Sequence, residues 1–262
     1  MDSRLAEILA NKRREIAALE KTAPFRREVG APLPIRDFQA ALSRTGETAL
    51  VAEIKFASPS AGTIRERGDP CALGRIYEAA GARAISLVTD RRFFNGNPGD
   101  LPDLKETVFL PILRKDFILD EIQVEESFVL GADALLLIAR LLSGRQLRRL
   151  LDLCRNRGLA ALTEIHSRKD LSKVLDCGAE IIGINNRDLG TFQVNLQSTL
   201  DLAPLIPEGK IIVSESGIST AGDIRLLRER GTRAALVGTA LMRDPDPTRK
   251  LRELVLAGRP PG

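Results

Sequence analysis

Apolar positions along the 262-residue chain gather into short runs that recur at near-regular spacing. The runs are ALVAEIKF (49–56), AISLVTD (84–90), FLPILRKDF (109–117), ALLLIAR (134–140), AALTEI (160–165), IIGINN (181–186), KIIVSES (210–216) and AALVGTAL (234–241). They are near-continuous rather than alternating. That pattern suits strands buried on both faces, as in a parallel sheet covered by helices. Between the runs the polar positions fall at helical spacing. DPCALGRIYEAAGA (69–82) opens on an Asp followed by Pro and stops at Gly81, the start and stop signals of a helix. IQVEESFVLGA (122–132), SGRQLRRLLDLCRNRGL (143–159), SRKDLSKVLDCGA (167–179) and TAGDIRLLRERGT (220–232) follow the same plan. TLDLAPLI (199–206) precedes the seventh run and DPTRKLRELVLAG (246–258) closes the chain.

Strand–helix alternation over eight strands predicts an α/β fold of the (β/α)8 TIM-barrel class, a single domain over residues 1–262. An open doubly wound sheet is the alternative, but no G-x-G-x-x-G follows the first strand. The barrel spans 49–262 and an N-terminal helical extension spans 1–48. Residues 2–21 predict an amphipathic helix with Leu5, Ile8, Leu9, Ile16 and Leu19 on one side. A Pro-broken loop (23–35) and a short helix (36–43) follow. The extension suits a plug for the bottom of the barrel and a lid for its mouth equally well.

Composition narrows the function classes. Apolar residues make up 44%, enough for a sizeable core, and 39 Lys and Arg against 35 Asp and Glu leave a formal charge of +4. The signs are interspersed, aromatics are 4% and Trp is absent. Nucleic-acid binding, which favours a basic stripe with stacking rings, is therefore not expected, whereas a small anionic ligand is. Cys71, Cys154 and Cys177 lie far apart with no zinc spacing, which predicts a reducing, cytoplasmic setting. The N-terminus lacks the apolar core of a signal peptide, and no run approaches the ~20 apolar residues of a membrane helix.

The charges fall at one end of the strands. Glu53 and Lys55 stand two residues apart at the end of the first run, so they share a face. On that segment alone, a structural ion pair explains them as well as a site does. Yet the third run ends in LRKDF, the fifth in Glu164, the sixth in NNRD, the seventh in SESG and the eighth in VGT. Barrel active sites lie at the carboxyl ends of the strands. Structural ion pairs have no reason to prefer that end. Lys55, Lys115 and Arg187 supply cations there, and Glu53, Glu164 and Glu215 supply carboxylates. Gly217 and Gly238, with Ser216 and Thr239 beside them, suit a phosphate site after strands seven and eight. His166, the only histidine, reads as a loop residue rather than a catalyst. Asp116 should face the helix layer. No His–carboxylate cluster suggests a metal.

These motifs resemble indole-3-glycerol phosphate synthase of tryptophan biosynthesis. The resemblance rests on EIKFASPSAGTI (53–64), ISLVTDRRFFNG (85–96), LRKDFI (113–118), GADALLLIARLL (131–142), GINNRDLGTF (183–192), IVSESGI (212–218) and LVGTALM (236–242) in this order, and it covers essentially the whole chain. It implies a lyase that converts 1-(o-carboxyphenylamino)-1-deoxyribulose 5-phosphate into indole-3-glycerol phosphate, CO2 and water, with no metal or organic cofactor. It implies Lys115 as general acid, Glu164 as the carboxylate assisting proton removal, and Lys55 as a cation that meets the substrate's charges. Glu53, Asn185, Arg187, Glu215 and Ser216 would form the polar shell. Phe94, Phe117, Leu136 and Leu189 would hold the anthranilate ring, and Ser58, Gly217, Gly238 and Thr239 would grip the phosphate. The implied partner is a small phosphorylated substrate, with neither nucleic acid nor membrane, on a monomer or weak homo-oligomer. Two departures are small: Phe56 should face the helices, and Thr239 keeps a hydroxyl. Phosphoribosylanthranilate isomerase, the nearest rival, needs a Cys/Asp pair where this chain has Glu53, Lys55 and Glu164. A catalytically dead barrel would lack catalytic residues that are present here.

Overall fold

The computed structural model describes residues 3–22, 33–43, 46–188 and 193–260. Eight strands form one closed barrel: β1 (Ala49–Ile54), β2 (Ala84–Val88), β3 (Ile112–Lys115), β4 (Ala134–Ile138), β5 (Ala160–Ile165), β6 (Ile181–Asn185), β7 (Ile211–Glu215) and β8 (Ala234–Val237). Each strand pairs in parallel with its chain neighbours, and β8 closes onto β1 through Ala49 opposite Ala234. Closure leaves no barrel edge to protect. A two-residue hairpin, Ala57–Ser58 with Gly62–Thr63, follows β1.

The helices are α1 (Ser3–Thr22), α2 (Phe38–Leu42), α3 (Pro70–Ala80), α4 (Arg91–Phe94), α5 (Asp100–Thr107) and α6 (Glu121–Val129), then α7 (Gly144–Asn156), α8 (Arg168–Asp176), α9 (Gln197–Leu202), α10 (Ala221–Glu229), α11 (Thr239–Arg243) and α12 (Pro247–Gly258). Their ends follow local chemistry. Asp69 caps α3 by accepting from the Cys71 N–H, and Gly81 ends that helix at φ 98°, in the left-handed region where a side chain is strained. Capping boxes open α6, α7 and α10. Two outcomes depart from the pattern reading. The stretch between β2 and β3, for which it names no helix, forms α4 and α5, with Asp90 capping α4 through the Phe93 N–H. The eighth run is also not one strand: β8 stops at Val237, and residues 239–243 turn into α11.

Alternation along each strand sorts the core. Ala49, Val51, Leu113, Leu136, Leu162, Val213 and Leu236 fill the barrel interior, and their neighbours pack outward against the helices. Phe56 is buried in that outer layer, as expected. The N-terminal extension divides its work between the two ends. Phe38 and Leu42 of α2 join the interior cluster. The preceding Arg36 donates its main-chain N–H to Asp133 at 2.6 Å and its guanidinium to the Lys105 and Leu110 carbonyls. Asp133 and Leu110 precede strands, so α2 plugs the bottom. Helix α1 lies at the opposite end, where Leu5 and Ile8 reach the strand carboxyl ends. Most of the loop between the two helices, residues 23–32, lies outside the described residues.

Candidate active site

The period-two alternation that fills the barrel with apolar side chains also delivers the polar ones. Val51 and Leu113 point inward, so Glu53 and Lys115 do too; Leu162 brings Glu164, and Val213 brings Glu215. Asn185 stands opposite Glu215 in the β6–β7 register. The result is a polar band across the mouth, one layer above the apolar core.

Its charges are organised around two ammonium groups. Lys55 Nζ donates to Glu53 Oε1 at 2.6 Å. Lys115 Nζ lies 3.5 Å from Glu164 Oε2 and 3.4 Å from Glu215 Oε2. Burial alone would lower the Lys115 pKa, but the facing carboxylates Glu215, Glu164 and Glu53 outweigh it and raise it, so the ammonium is held charged. Burial likewise opposes ionisation of Glu53, and Lys55, Lys115 and Arg187 together overcome it and lower its pKa. Glu215 goes the other way. Burial, with Glu164 and Glu53 nearby, pushes it up to about 8 against the pull of Lys115. Both of its oxygens are buried without a hydrogen-bond partner. Burial of Glu215 and the crowding of carboxylates around one ammonium thus pull Glu215 and Lys115 upward together.

Two compartments adjoin this band. One is apolar, walled by Phe94, Phe117, Leu136, Val88 and Ile138, with Leu5 and Ile8 closing it from α1. The Phe94 and Phe117 rings sit 6.1 Å apart at 49°. The other, a cavity of about 400 Å³, is lined by Ser216, Gly217, Ser219, Gly238, Thr239 and Arg243. Glu53, Lys55, Lys115, Arg187 and Ser216 face both. The chain after β7 is shaped for the second compartment: Ser216 has φ 67° and Gly217 φ 80°, two successive left-handed residues. A Cβ on Gly217 would come within 2.3 Å of Val194 Cγ1. Such a conformation is costly for Ser and is typically found at functional sites. At Gly238 a Cβ would meet Glu53 Oε1 at 2.4 Å, so the Glu53 carboxylate occupies the space this glycine leaves.

All the described residues expected at the site line one compartment or the other. Leu189 lies outside the described residues. Ser58, expected with the phosphate residues, instead stands on the hairpin beside the apolar compartment, where its hydroxyl accepts from the Ala61 N–H. Asp116 makes no contact with the Glu164–Glu215 pair; it sits at the α1 side of the apolar compartment in a buried network. There it accepts from Lys12 of α1 at 2.7 Å, and from Thr89 and Arg114. Lys12 also reaches Asp90 at 3.1 Å, which fastens α1 to the ends of β2 and β3. The sequence reading missed Leu5, Ile8 and Arg243 as lining residues. The apolar face of α1 was legible, but its docking place was not. Among the described residues no group of three or more His, Cys, Asp or Glu is placed to hold a metal ion.

Comparison with known proteins finds relatives along nearly the whole chain. The family model for indole-3-glycerol phosphate synthase matches residues 5–254. A protein of that name from Geobacillus sp. (strain WCH70) is 46% identical over 252 residues, 95% of this chain and 96% of its own. One from Chlorobium luteolum is 47% identical over 241 residues, covering 90% and 92%. One from Chromobacterium violaceum is 43% identical over 263 residues, covering 98% and 99%. Among solved structures, 3-hexulose-6-phosphate synthase from Salmonella typhimurium superposes with a TM-score of 0.65 at 13% identity, over 80% of this chain and 98% of that one. At that identity the likeness concerns the fold alone.

Proposed function

The chain belongs to the indole-3-glycerol phosphate synthase family, carboxy-lyases of tryptophan biosynthesis, and we propose that the polar band at its barrel mouth is the machinery of that reaction. The substrate, 1-(o-carboxyphenylamino)-1-deoxyribulose 5-phosphate, has an aryl group at one end, a phosphate at the other and a ketone between. One observation carries the assignment of residues. An apolar compartment and a glycine-lined, cation-flanked one adjoin the same strip of Glu53, Lys55, Lys115, Arg187 and Ser216. A molecule spanning both presents its ketone to that strip.

Ring closure makes a carbon–carbon bond from the carboxylated aryl carbon to the ketone carbon, and the carbonyl electron pair moves onto oxygen. Lys115 protonates that developing alkoxide, and the low-dielectric mouth makes the ammonium more effective than it would be in water. The aryl carbon now has four substituents, so CO2 leaves and its bonding pair restores the aromatic ring. The new hydroxyl departs as water when an acid gives it a proton and the nitrogen lone pair pushes. Glu164 then takes the proton from the adjacent carbon, completing the pyrrole. Glu53 holds Lys55, and Asn185, Arg187, Glu215 and Ser216 orient the chain of the substrate. Gly217, Gly238 and Thr239 receive the phosphate, while Phe94, Phe117 and Leu136 hold the aryl ring; Leu189 and Ser58 are assigned to substrate contact from the motif.

The test is turnover by the purified protein. Because the chain contains no Trp, indole fluorescence appearing with the deoxyribulose phosphate reports product directly, and evolved CO2 should match it mole for mole. Absence of both would overturn the reading.

A further inference from the structure

We infer that His166 is a positioning residue for Glu164, holding one oxygen of that carboxylate while the other faces Lys115. This rests on the reading of Glu164 as the carboxylate that accepts the substrate proton. Residue 166 follows Glu164 by two and so continues the same inward row just past the end of β5. The two oxygens of Glu164 are divided between neighbours: Oε1 lies 3.5 Å from His166 Nε2, and Oε2 lies 3.5 Å from Lys115 Nζ. The imidazole thus meets the oxygen that the ammonium does not, and a group on each oxygen can fix the carboxylate plane.

Nothing in the fold requires a ring with nitrogens at this place. The main-chain N–H of His166 is already taken by Asp170 Oδ2 at 3.2 Å, and Ser167 caps α8 without help from the ring. The side chain is 7% exposed, yet neither ring nitrogen has a hydrogen-bond partner. Burying two unpaired polar atoms is costly, and an apolar side chain would avoid that cost. The partner within reach is Glu164. A contact of 3.5 Å needs only a few tenths of an ångström to become a hydrogen bond, and catalytic hydrogen bonds commonly tighten when substrate fills the site. An imidazole N–H at Nε2 donates to Oε1 and leaves Oε2, beside Lys115, to receive the substrate proton.

Steady-state kinetics on four variants tests this. His166→Phe keeps a ring of similar shape without donors. It should lower kcat by ~10–100-fold, below the ~10²–10⁴ of a group that transfers the proton itself, with KM within a few-fold. His166→Gln, whose amide nitrogen can take the place of Nε2, should recover most of that loss. In a Glu164→Gln background, His166→Phe should cost almost nothing further, since the carboxylate it orients is gone. A loss of equal size in both backgrounds would mark the ring as structural and overturn the inference. So would a His166→Phe enzyme with kcat within threefold of the parent. Should His166→Phe fail to fold, His166→Leu takes its place under the same criteria. A Glu164→Gln enzyme with undiminished kcat would sink the role of Glu164 and the positioning role together. A large loss at Glu164 with none at His166 would sink only the latter.

Discussion

Lys115→Met separates chemistry from binding, and the surroundings of the side chain set the size of both effects. Met keeps most of the apolar stem and removes an ammonium that sits 3.4 Å from Glu215 and 3.5 Å from Glu164. Positioned acids contribute ~10²–10⁴-fold, so kcat should fall by that factor, about 3–5.5 kcal/mol in barrier. KM should change much less, because the glycine-lined cavity and the aryl compartment are untouched. The folded state also loses a counter-charge. Breaking a buried ion pair costs about 3–5 kcal/mol when the partner stays ionised. Here Glu215, already pushed up to about 8, stays protonated over the neutral range, but Glu164 also loses its ammonium, so the stability loss at neutral pH should come from Glu164 and stay within that range. The sign is testable. A carboxyl with a raised folded pKa holds a proton that the unfolded chain has released, so stability declines as pH rises from the ordinary carboxylate value through the folded one. Without Lys115 that folded value goes higher still. Tm of Lys115→Met should therefore drop between pH 6 and pH 9 more steeply than that of the parent. The assay is indole fluorescence for kcat and KM, with thermal unfolding across the pH series. A variant that keeps kcat within a few-fold would refute the general-acid role and leave Lys55 as the next candidate.

Three further outcomes follow from the same geometry. Gly238→Ala, whose Cβ would meet the Glu53 carboxylate at 2.4 Å, should lower kcat as well as raise KM, because the Glu53–Lys55 pair must move; a change in KM alone would show that Glu53 has room to give. Asp116→Asn removes one carboxylate from Lys12 and Arg114, which keep Asp90 and Glu126, and should therefore cost less than the ~3–5 kcal/mol of a stranded buried charge, with a smaller effect on kcat, read by urea unfolding beside kinetics. Arg114 and Lys12 hold the Asp116 pKa down at about 2 against burial, so the stability it contributes is present above pH ~4 and is lost as pH falls toward 2; an acid-unfolding curve that Asp116→Asn leaves unchanged would contradict this. Leu5→Asp should raise KM for the substrate through the aryl compartment that α1 closes, and an unchanged KM would place the ring elsewhere.

The barrel was legible in the chain because its signals are local. Near-continuous apolar runs mark doubly covered strands, and Asp–Pro starts and glycine stops mark the helices between them. Alternation then carried the reading from fold to site: once Val51, Leu113, Leu162 and Val213 face inward, Glu53, Lys115, Glu164 and Glu215 must do so as well. What stayed hidden depends on contacts between distant segments. The amphipathic face of α1 reads the same whether it covers the mouth or the base. Only the seating of Leu5 and Ile8 on the apolar compartment, and of Lys12 between Asp90 and Asp116, decided for the mouth, while Phe38 and Leu42 of α2 took the base. The sequence contains Gly238 but not its reason, which is the carboxylate of a residue 185 positions earlier lying where its side chain would be. It contains Glu215 and His166 but not the burial and crowding of carboxylates that raise the pKa of the first, nor the burial that leaves the ring of the second unpaired. Periodicity fixes which face a side chain takes, because it follows from backbone geometry alone. Charge state and docking follow from through-space distances, and those are set only when the barrel closes.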